Sequence, residues 1–394
     1  ERLTPQRSGI DGSPITYGAY STGDNPVVNG ANVVTGWSGL GNGRYSASVS
    51  TGPEVVIFGG IKGTRVGSAA EVDGALEWYW ESGTLTVYSA AAPVDVEASA
   101  REHLFANYAK DYLVVRDLVF RYGDQPVYMV NANHCVLENI TVHDSAGYAG
   151  ITLVSGAPSR ADYNTIRGCT VYSISGNTES LASGNDADGI LLYDVNCQYN
   201  LVEQCTVHHC GREGIVVFGG SDNTIRNCVA HHQAHGGLRV GLESAMRNVI
   251  EHCESYSNCL KADDRYGIDL IRVGDNNTVR YNIVHDQYDT LSDPSIPADP
   301  TNNGQKYGSG GIRFDGGNWA DHDHMGSVGN RAYYNLVYNE GSGIQAYNFS
   351  NVEIYNNVIY NSRTFGLCVH SDGAVVAAGD IVKNNAVSSA TGAH

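Results

Sequence analysis

The chain is short of the residues that most restrict a fold to helix or membrane. It has 7 Phe and 3 Met in 394 residues, too few for the Met- and Leu-filled interior of a helical protein, so an all-helical fold is excluded. No stretch reaches the roughly 20 consecutive apolar residues of a membrane-spanning helix. Positive charge is also scarce: 24 Lys and Arg stand against 42 Asp and Glu, a formal charge of −18. Nucleic-acid affinity rests on neutralising phosphates with Lys and Arg, so a nucleic-acid partner is not expected. What is abundant is Gly, at 47, and Tyr, at 25, among runs of Asn, Thr and Val. That composition belongs to strands and turns.

A phrase recurs from about residue 133 onward: Asn, an aliphatic or small residue two places on, Cys or Asn three places after that, then His or Tyr. Copies read NTIRGCTVYS from Asn164, NLVEQCTVHH from Asn200, NTIRNCVAHH from Asn223, NVIEHCESYS from Asn248, NTVRYNIVHD from Asn277 and NRAYYNLVYN from Asn330. Each is followed by a Gly-aliphatic pair. The pairs begin at Gly150, Gly189, Gly214, Gly237, Gly267, Gly311, Gly343 and Gly366, so the intervals are 39, 25, 23, 30, 44, 32 and 23. A basic coil of 23 residues with insertions is implied. Such a coil holds three short strands with their turns. The fold class expected is all-β, a right-handed parallel β-helix with loop insertions; the Leu-rich consensus of the competing solenoid is absent.

Stacked coils place equivalent residues about 4.8 Å apart. One expected row is Ile140, Cys169, Cys205, Cys228, Cys253, Asn282, Asn335 and Asn357; another is His143, Tyr172, His208, His231, Tyr256, His285, Tyr338 and Tyr360. Both are read as structural stacks. A row supplies one ligand per coil, whereas zinc requires four converging in a tetrahedron. With at least four of the nine Cys in one stack, no dense disulfide framework is implied. Residues 1–100 lack the coil phrase and are read as opening coils with a β-hairpin elaboration, continuous with a β-helix over 101–394. A segment upstream of Glu1 is expected.

The repeat and the opening SPITYGAYSTGDNPVVNG resemble the right-handed β-helix superfamily of carbohydrate-active proteins: polysaccharide lyases, uronan epimerases and β-helical glycoside hydrolases. The resemblance covers most of the chain and implies a polysaccharide or oligosaccharide substrate and an extracellular or periplasmic location. GNDADGILLY at 184–193 resembles the calcium-binding strand of polysaccharide lyase family nine, which implies a calcium role for Asp188. One coil later that family has Asp-Asp-Gly-Trp-Asp, where this chain has Arg212-Glu213-Gly214-Ile215-Val216, leaving Glu213 as the stand-in. GGIRFDGGN at 310–318 is similar to the strand carrying the aspartate nucleophile of β-helical xylosidases, which implies Asp315.

If the aliphatic residue of each pair points inward, residues two and four after the Gly point outward. The first outer row reads Thr152, Leu191, Val216, Arg239, Asp269, Arg313, Gln345, Cys368, and the second Val154, Tyr193, Phe218, Gly241, Ile271, Asp315, Tyr347, His370. Arg239, Asp269, Arg313 and Asp315 therefore make a candidate catalytic strip, bordered by Tyr193, Phe218, Tyr347 and His370. Insertions at 173–188, 257–266, 286–310 and 316–329 would bring Lys261, Arg265 and His322 to it. Asp263 and Asp264 are read as loop charge, with a calcium site as the alternative. No other cofactor is called for, and the chain is expected to act as a monomer.

The favoured function is a lyase acting by β-elimination on a uronate polymer. Arg239 and Arg313 would neutralise the carboxylate and abstract the proton, Asp269 would orient them, and Tyr347, His322 or Lys261 would protonate the leaving oxygen. A glycoside hydrolase is the alternative, using Asp269 with Asp315 at roughly 6 to 9 Å, or Asp188 with Glu213 at about 5 Å. A non-catalytic glycan-binding solenoid is the third.

Overall fold

The computed structural model describes residues 2–20, 22–175, 187–260, 265–287, 309–316, 327–370 and 378–389. Among them the strands form three long parallel sheets of ten, eleven and eleven strands, in each of which neighbours come from successive coils. This is the expected parallel β-helix. The first sheet begins at Phe105–Tyr108 and Val127–Val130 and continues through every Gly-aliphatic strand to Phe365–His370. The second sheet holds Thr165–Arg167 and its equivalents, and the third Thr170–Ile174 and its equivalents.

The opening residues join the same stack. Ile15–Gly18 pairs in parallel with Leu113–Arg116, and Val27–Asn29 with Val119–Arg121. Between them and the main coils the chain builds two small sheets of five and four strands, joined mainly by antiparallel pairing, around Trp78, Leu85 and Val87. Lys62 on this elaboration reaches the coils, its Nζ donating to Ser145 O at 2.9 Å, Ser173 O at 3.2 Å and Ser175 Oγ at 2.6 Å.

The turn that enters the second sheet explains the invariant rung of the repeat. The residue before each Asn takes a left-handed conformation, as at Tyr163, Tyr199, Asp222 and Arg247, so the backbone there leaves the sheet ladder. The buried Asn amide replaces the missing partners. Asn164 N donates to Asn200 Oδ1 at 2.8 Å, Asn200 N to Asn223 Oδ1 at 2.9 Å, Asn223 N to Asn248 Oδ1 at 3.0 Å and Asn248 N to Asn277 Oδ1 at 2.9 Å. Each Nδ2 also donates to a backbone carbonyl of the preceding coil, as Asn248 does to Gly220 O at 3.0 Å. A second Asn ladder through Asn282, Asn335 and Asn357 continues the thiol row of Cys169, Cys205, Cys228 and Cys253, as expected. Cys and Asn exchange in this row because both are small and both bond toward backbone carbonyls there. The outer ring row is stacked throughout, with centroids 4.7 to 5.2 Å apart from His143 to Tyr360.

The Gly before each first-sheet strand is required by close approach. A Cβ at Gly189 would stand 2.2 Å from Val207 Cγ1 and 2.6 Å from Gly214 O. Gly and the aliphatic residue after it therefore both face inward, which turns the residue before the Gly outward. A third outer row results: Ala149, Asp188, Glu213, Gly236, Tyr266, Gly310, Ser342 and Phe365.

Replacing one rung of the Asn ladder strands donors on the preceding coil: without Asn248 the backbone N and Nδ2 of Asn223 lose their acceptor, and Gly220 O loses its donor. Asn248→Ala is expected to cost about 1–3 kcal/mol for each amide left unpaired, read as a lowered urea midpoint with an unchanged slope.

Candidate functional site

The outer face of the first sheet carries two separate charged centres. The first is built on the coils of Gly189, Gly214 and Gly237. Asp188 and Glu213 are each 2% exposed, and their carboxyl groups lie against one another across adjacent coils. Asp188 Oδ1 also accepts from Glu213 N at 3.2 Å. Arg239 Nη1 donates to Glu213 Oε1 at 2.7 Å, and Arg212 Nε lies 2.9 Å from Glu213 Oε2.

Two carboxyl groups this close and this dry cannot both ionise. Burial, and then the charge of Glu213, hold the Asp188 carboxyl well above the usual carboxylate range. Burial acts on Glu213 in the same direction, but the guanidinium groups of Arg239, Arg212 and Arg265 outweigh it, and Glu213 stays ionised below its ordinary value. The pair is one acid beside one anion. Asp188 faces a cleft of ≈ 340 Å³ whose walls are Tyr128, Tyr148, Leu191, Tyr193, Val216 and Phe218, with Arg212 at its edge. Tyr193 and Phe218 stack with centroids 5.7 Å apart, and Tyr193 remains 45% exposed.

The second centre lies on the coils of Gly267 to Gly366. Arg313 donates to both oxygens of Asp269, Nε to Oδ1 at 3.0 Å and Nη2 to Oδ2 at 2.9 Å. Its Nη1 is 3.5 Å from Asp315 Oδ2, and its guanidinium covers the Tyr266 ring at 4.6 Å. The Tyr266 hydroxyl donates to Gln345 Oε1. Gln345 Nε2 lies 2.8 Å from His370 Nε2, and the His370 ring lies against Tyr347 at 4.8 Å. Because the amide can only donate, His370 Nε2 accepts.

Comparison with known proteins settles the architecture. A family model described as a right handed beta helix region matches residues 178–320, and one described as periplasmic copper-binding protein (NosD) matches residues 79–227. Among solved structures the chain is similar to XylC in complex with xylose, at 12% identity and TM-score 0.64, over 98% of this chain and 79% of that one. The chain has the right-handed parallel β-helix fold. A structure titled glycoside hydrolase is similar to this β-helix at 12% identity and TM-score 0.61, over 98% of this chain and 86% of that one. The GH136 lacto-N-biosidase from Eubacterium ramulus is similar at 13% identity and TM-score 0.57, over 98% of this chain and 60% of that one. No curated protein sequence matches the chain.

The rows expected on the outer face of the β-helix are present in register: Arg239 pairs with Asp269, Asp269 with Arg313, and Asp315 with Tyr347. Their grouping differs from a single strip. Arg239 bonds Glu213, while Asp269, Arg313 and Asp315 form one cluster with Tyr266. Stacked coils put Asp269 about 14 Å and Asp315 about 19 Å from Asp188, so the two carboxylate pairs considered from the sequence belong to different centres. Although they point outward, Asp269 is only 2% and Arg313 5% exposed. Asp188 and Glu213 lie against one another on adjacent coils, with Glu213 N donating to Asp188 Oδ1 at 3.2 Å. Lys261, Asp263, Asp264 and His322 lie outside the described residues, and Arg265 contributes through its charge on Glu213. Among the described residues no three His, Cys, Asp or Glu side chains converge as a metal site.

Sequence reasoning missed Arg212, Tyr266, Tyr128 and Tyr148. The first two were accessible, since Arg212 adjoins Glu213 and Tyr266 precedes its coil glycine as Asp188 and Glu213 precede theirs. Tyr128 belongs to a coil before the recurring phrase begins and left no signal.

Burial changes what substitution should do. Asp269→Asn leaves Arg313 deprived of its bidentate partner and is expected to destabilise by about 3–5 kcal/mol, whereas Asp269→Leu with Arg313→Met should recover most of that loss. Equilibrium urea unfolding of the three proteins measures the difference.

Proposed function

We propose that this β-helix is a carbohydrate-active enzyme that hydrolyses a glycosidic bond, with Asp188 as the proton donor. The observation that carries the reading is a buried carboxyl kept neutral by an adjacent ionised one, facing a cleft walled with aromatic rings. Environments that push two carboxyl groups apart in acidity create an acid and an anion at one pH, as glycoside cleavage requires. Aromatic faces such as Tyr193 and Phe218 suit the apolar faces of sugar rings. The glycoside hydrolases similar in fold support the class of enzyme without specifying its bond.

In this reading a sugar lies along the cleft with its glycosidic oxygen against Asp188, which donates its proton as the bond lengthens, while water adds to the anomeric carbon and releases the proton that restores the acid. Glu213 holds that proton in place through its negative charge, and Arg239 and Arg212 keep Glu213 ionised. The contact between the two carboxyl groups leaves no room for a sugar ring between them. Glu213 is therefore a positioning residue rather than the attacking carboxylate.

The state of the arginines supports hydrolysis over the elimination favoured from the sequence. Arg239 is bonded to Glu213 and Arg313 is chelated by Asp269, so both charges are met by protein carboxylates before any uronate arrives. An extracellular or periplasmic setting fits a glycan substrate, and the periplasmic description of the NosD family supports it.

A panel of 4-nitrophenyl glycosides and uronate polymers tests the proposal. Asp188→Asn is expected to lower kcat at least 100-fold on poor leaving groups, in the range of general acid catalysis, and far less on 2,4-dinitrophenyl glycosides, which leave without a proton. The active form has Asp188 protonated, so kcat falls as pH rises through its raised pKa, and Glu213→Gln should move that alkaline limb. Product absorbing near 235 nm from a uronate polymer, or an Asp188→Asn protein with full activity on 4-nitrophenyl glycosides, would overturn it.

A further inference from the structure

The outward rows of the second and third sheets change character on the last four coils. The first outward residue of the third sheet reads Thr141, Thr170, Thr206, Val229 and Glu254 on successive coils, and then Ile283, Leu336, Val358 and Ala386. These last four do not serve the core, because their inward neighbours Val284, Val337 and Ile359 already fill it. Tyrosine rings flank them in axial stacks: Tyr338 on Tyr360 at 5.1 Å to one side, Tyr281 on Tyr334 at 5.3 Å to the other and, one row further out, Tyr333 on Tyr355 at 4.9 Å. Tyr281, Ile283, Tyr334, Val358 and Tyr360 are each 40 to 50% exposed.

Negative charge is withdrawn from the same area. Four outward rows on four coils, from the row of Arg280 to that of His285, make sixteen positions, and none is Asp or Glu. The four coils before them carry Glu203, Glu251 and Glu254 in those rows. The two cations, Arg280 and Lys383, stand in the border row over the rings of Tyr281 and Tyr355. A chain of charge −18 repels its own copies, and that repulsion is weakest at an apolar face without carboxylates.

From this face we infer that two copies of the chain associate side by side through their second and third sheets, in place of the monomer expected from the sequence. Repeat, charge and area decide the occupant. Two solenoids of one spacing, related by a two-fold axis parallel to their own, set every coil opposite its counterpart, so the ladders match along the whole contact. The same operation brings opposite borders of the face together. On one coil those borders are Arg280 and Asp286, whose side chain is 49% exposed, so the rim closes with charges of opposite sign. At about 200 Å² for an aromatic side chain, Tyr281, Tyr334 and Tyr360 alone expose roughly 250 Å². The sixteen positions together offer about 800 Å², the area that a stable complex buries on each partner. Aliphatic side chains among tyrosines, with few charges, are the composition of a protein interface core. The first sheet, with Asp188 and its cleft, is a different face of the solenoid, and the inference does not depend on the hydrolase reading.

The test is sedimentation equilibrium of the full chain and of variants at Val358. The parent is expected to sediment at twice the 42.2 kDa of the chain at micromolar concentration, and to do so still in ~1 M NaCl, where a contact held by surface ion pairs alone would weaken. Val358 lies in the row nearest the two-fold axis, so a charge placed there meets its own copy. Val358→Lys and Val358→Glu should each lose at least 10-fold in association while keeping a cooperative thermal transition, and an equimolar mixture of the two should dimerise again. Val33→Lys, the same change at a residue 65% exposed outside this face, should leave the dimer intact. A monomeric parent, which assigns the face to a different protein or to a glycan, an unchanged dimer in Val358→Lys, a mixture that stays monomeric, or an equal loss in Val33→Lys would each overturn the assignment.

Discussion

Everything described above rests on one repeated contact, the amide of a buried Asn bonded to the backbone of the preceding coil. Parallel strands have evenly spaced hydrogen bonds along their length, but a coil of three strands must also turn three times, and each turn removes peptide groups from the ladder. In a surface loop water would satisfy them. Inside the stack it cannot, and a buried unpaired amide costs more than an ordinary hydrogen bond returns. The Asn row from Asn164 to Asn330 supplies that missing partner on every coil, and the strands it fixes carry the outer face with them.

The rigidity so obtained lets charge be placed where water is scarce. Asp188, Glu213, Asp269 and Arg313 are all at most 5% exposed, and none stands alone. Arg313 is gripped by both oxygens of Asp269 and roofed by Tyr266, so its cost of burial is offset within one cluster. The Asp188 and Glu213 pair is offset differently, by a proton on one member and two guanidinium groups on the other. A flexible scaffold would separate such groups and let solvent in. Coils locked at the spacing of a sheet do not permit it.

The fold was legible in the sequence because each rung is the same chemical solution repeated, so Asn164, Asn200, Asn223 and Asn248 announce themselves by offset alone. The outer rows at two and four residues after the Gly were readable for the same reason, and Arg313 lies between Asp269 and Asp315 as that reading requires. Two things were not readable. Simple alternation sends the residue before the Gly inward, whereas the close approach at Gly189 and its equivalents turns Asp188, Glu213 and Tyr266 outward. Nor does alternation say how deeply an outward residue is covered. Burial of Asp269 depends on neighbours across coils, Arg313 and Tyr266, that no local pattern specifies.

The likeness of the rungs also carries a liability. An Asn row that accepts any coil of the right length contains no record of which coil should come next, and a chain slipped by one turn would find the same amide bonds waiting. What tells the coils apart must be the places where they differ: Lys62 seated among Ser145, Ser173 and Ser175, Arg239 reaching back to Glu213, and Asp269 chelating Arg313. A slipped stack would part each of these charges from its partner. The buried ions are thus an address written onto an otherwise featureless lattice, and they make assembly of the solenoid unique as well as stable.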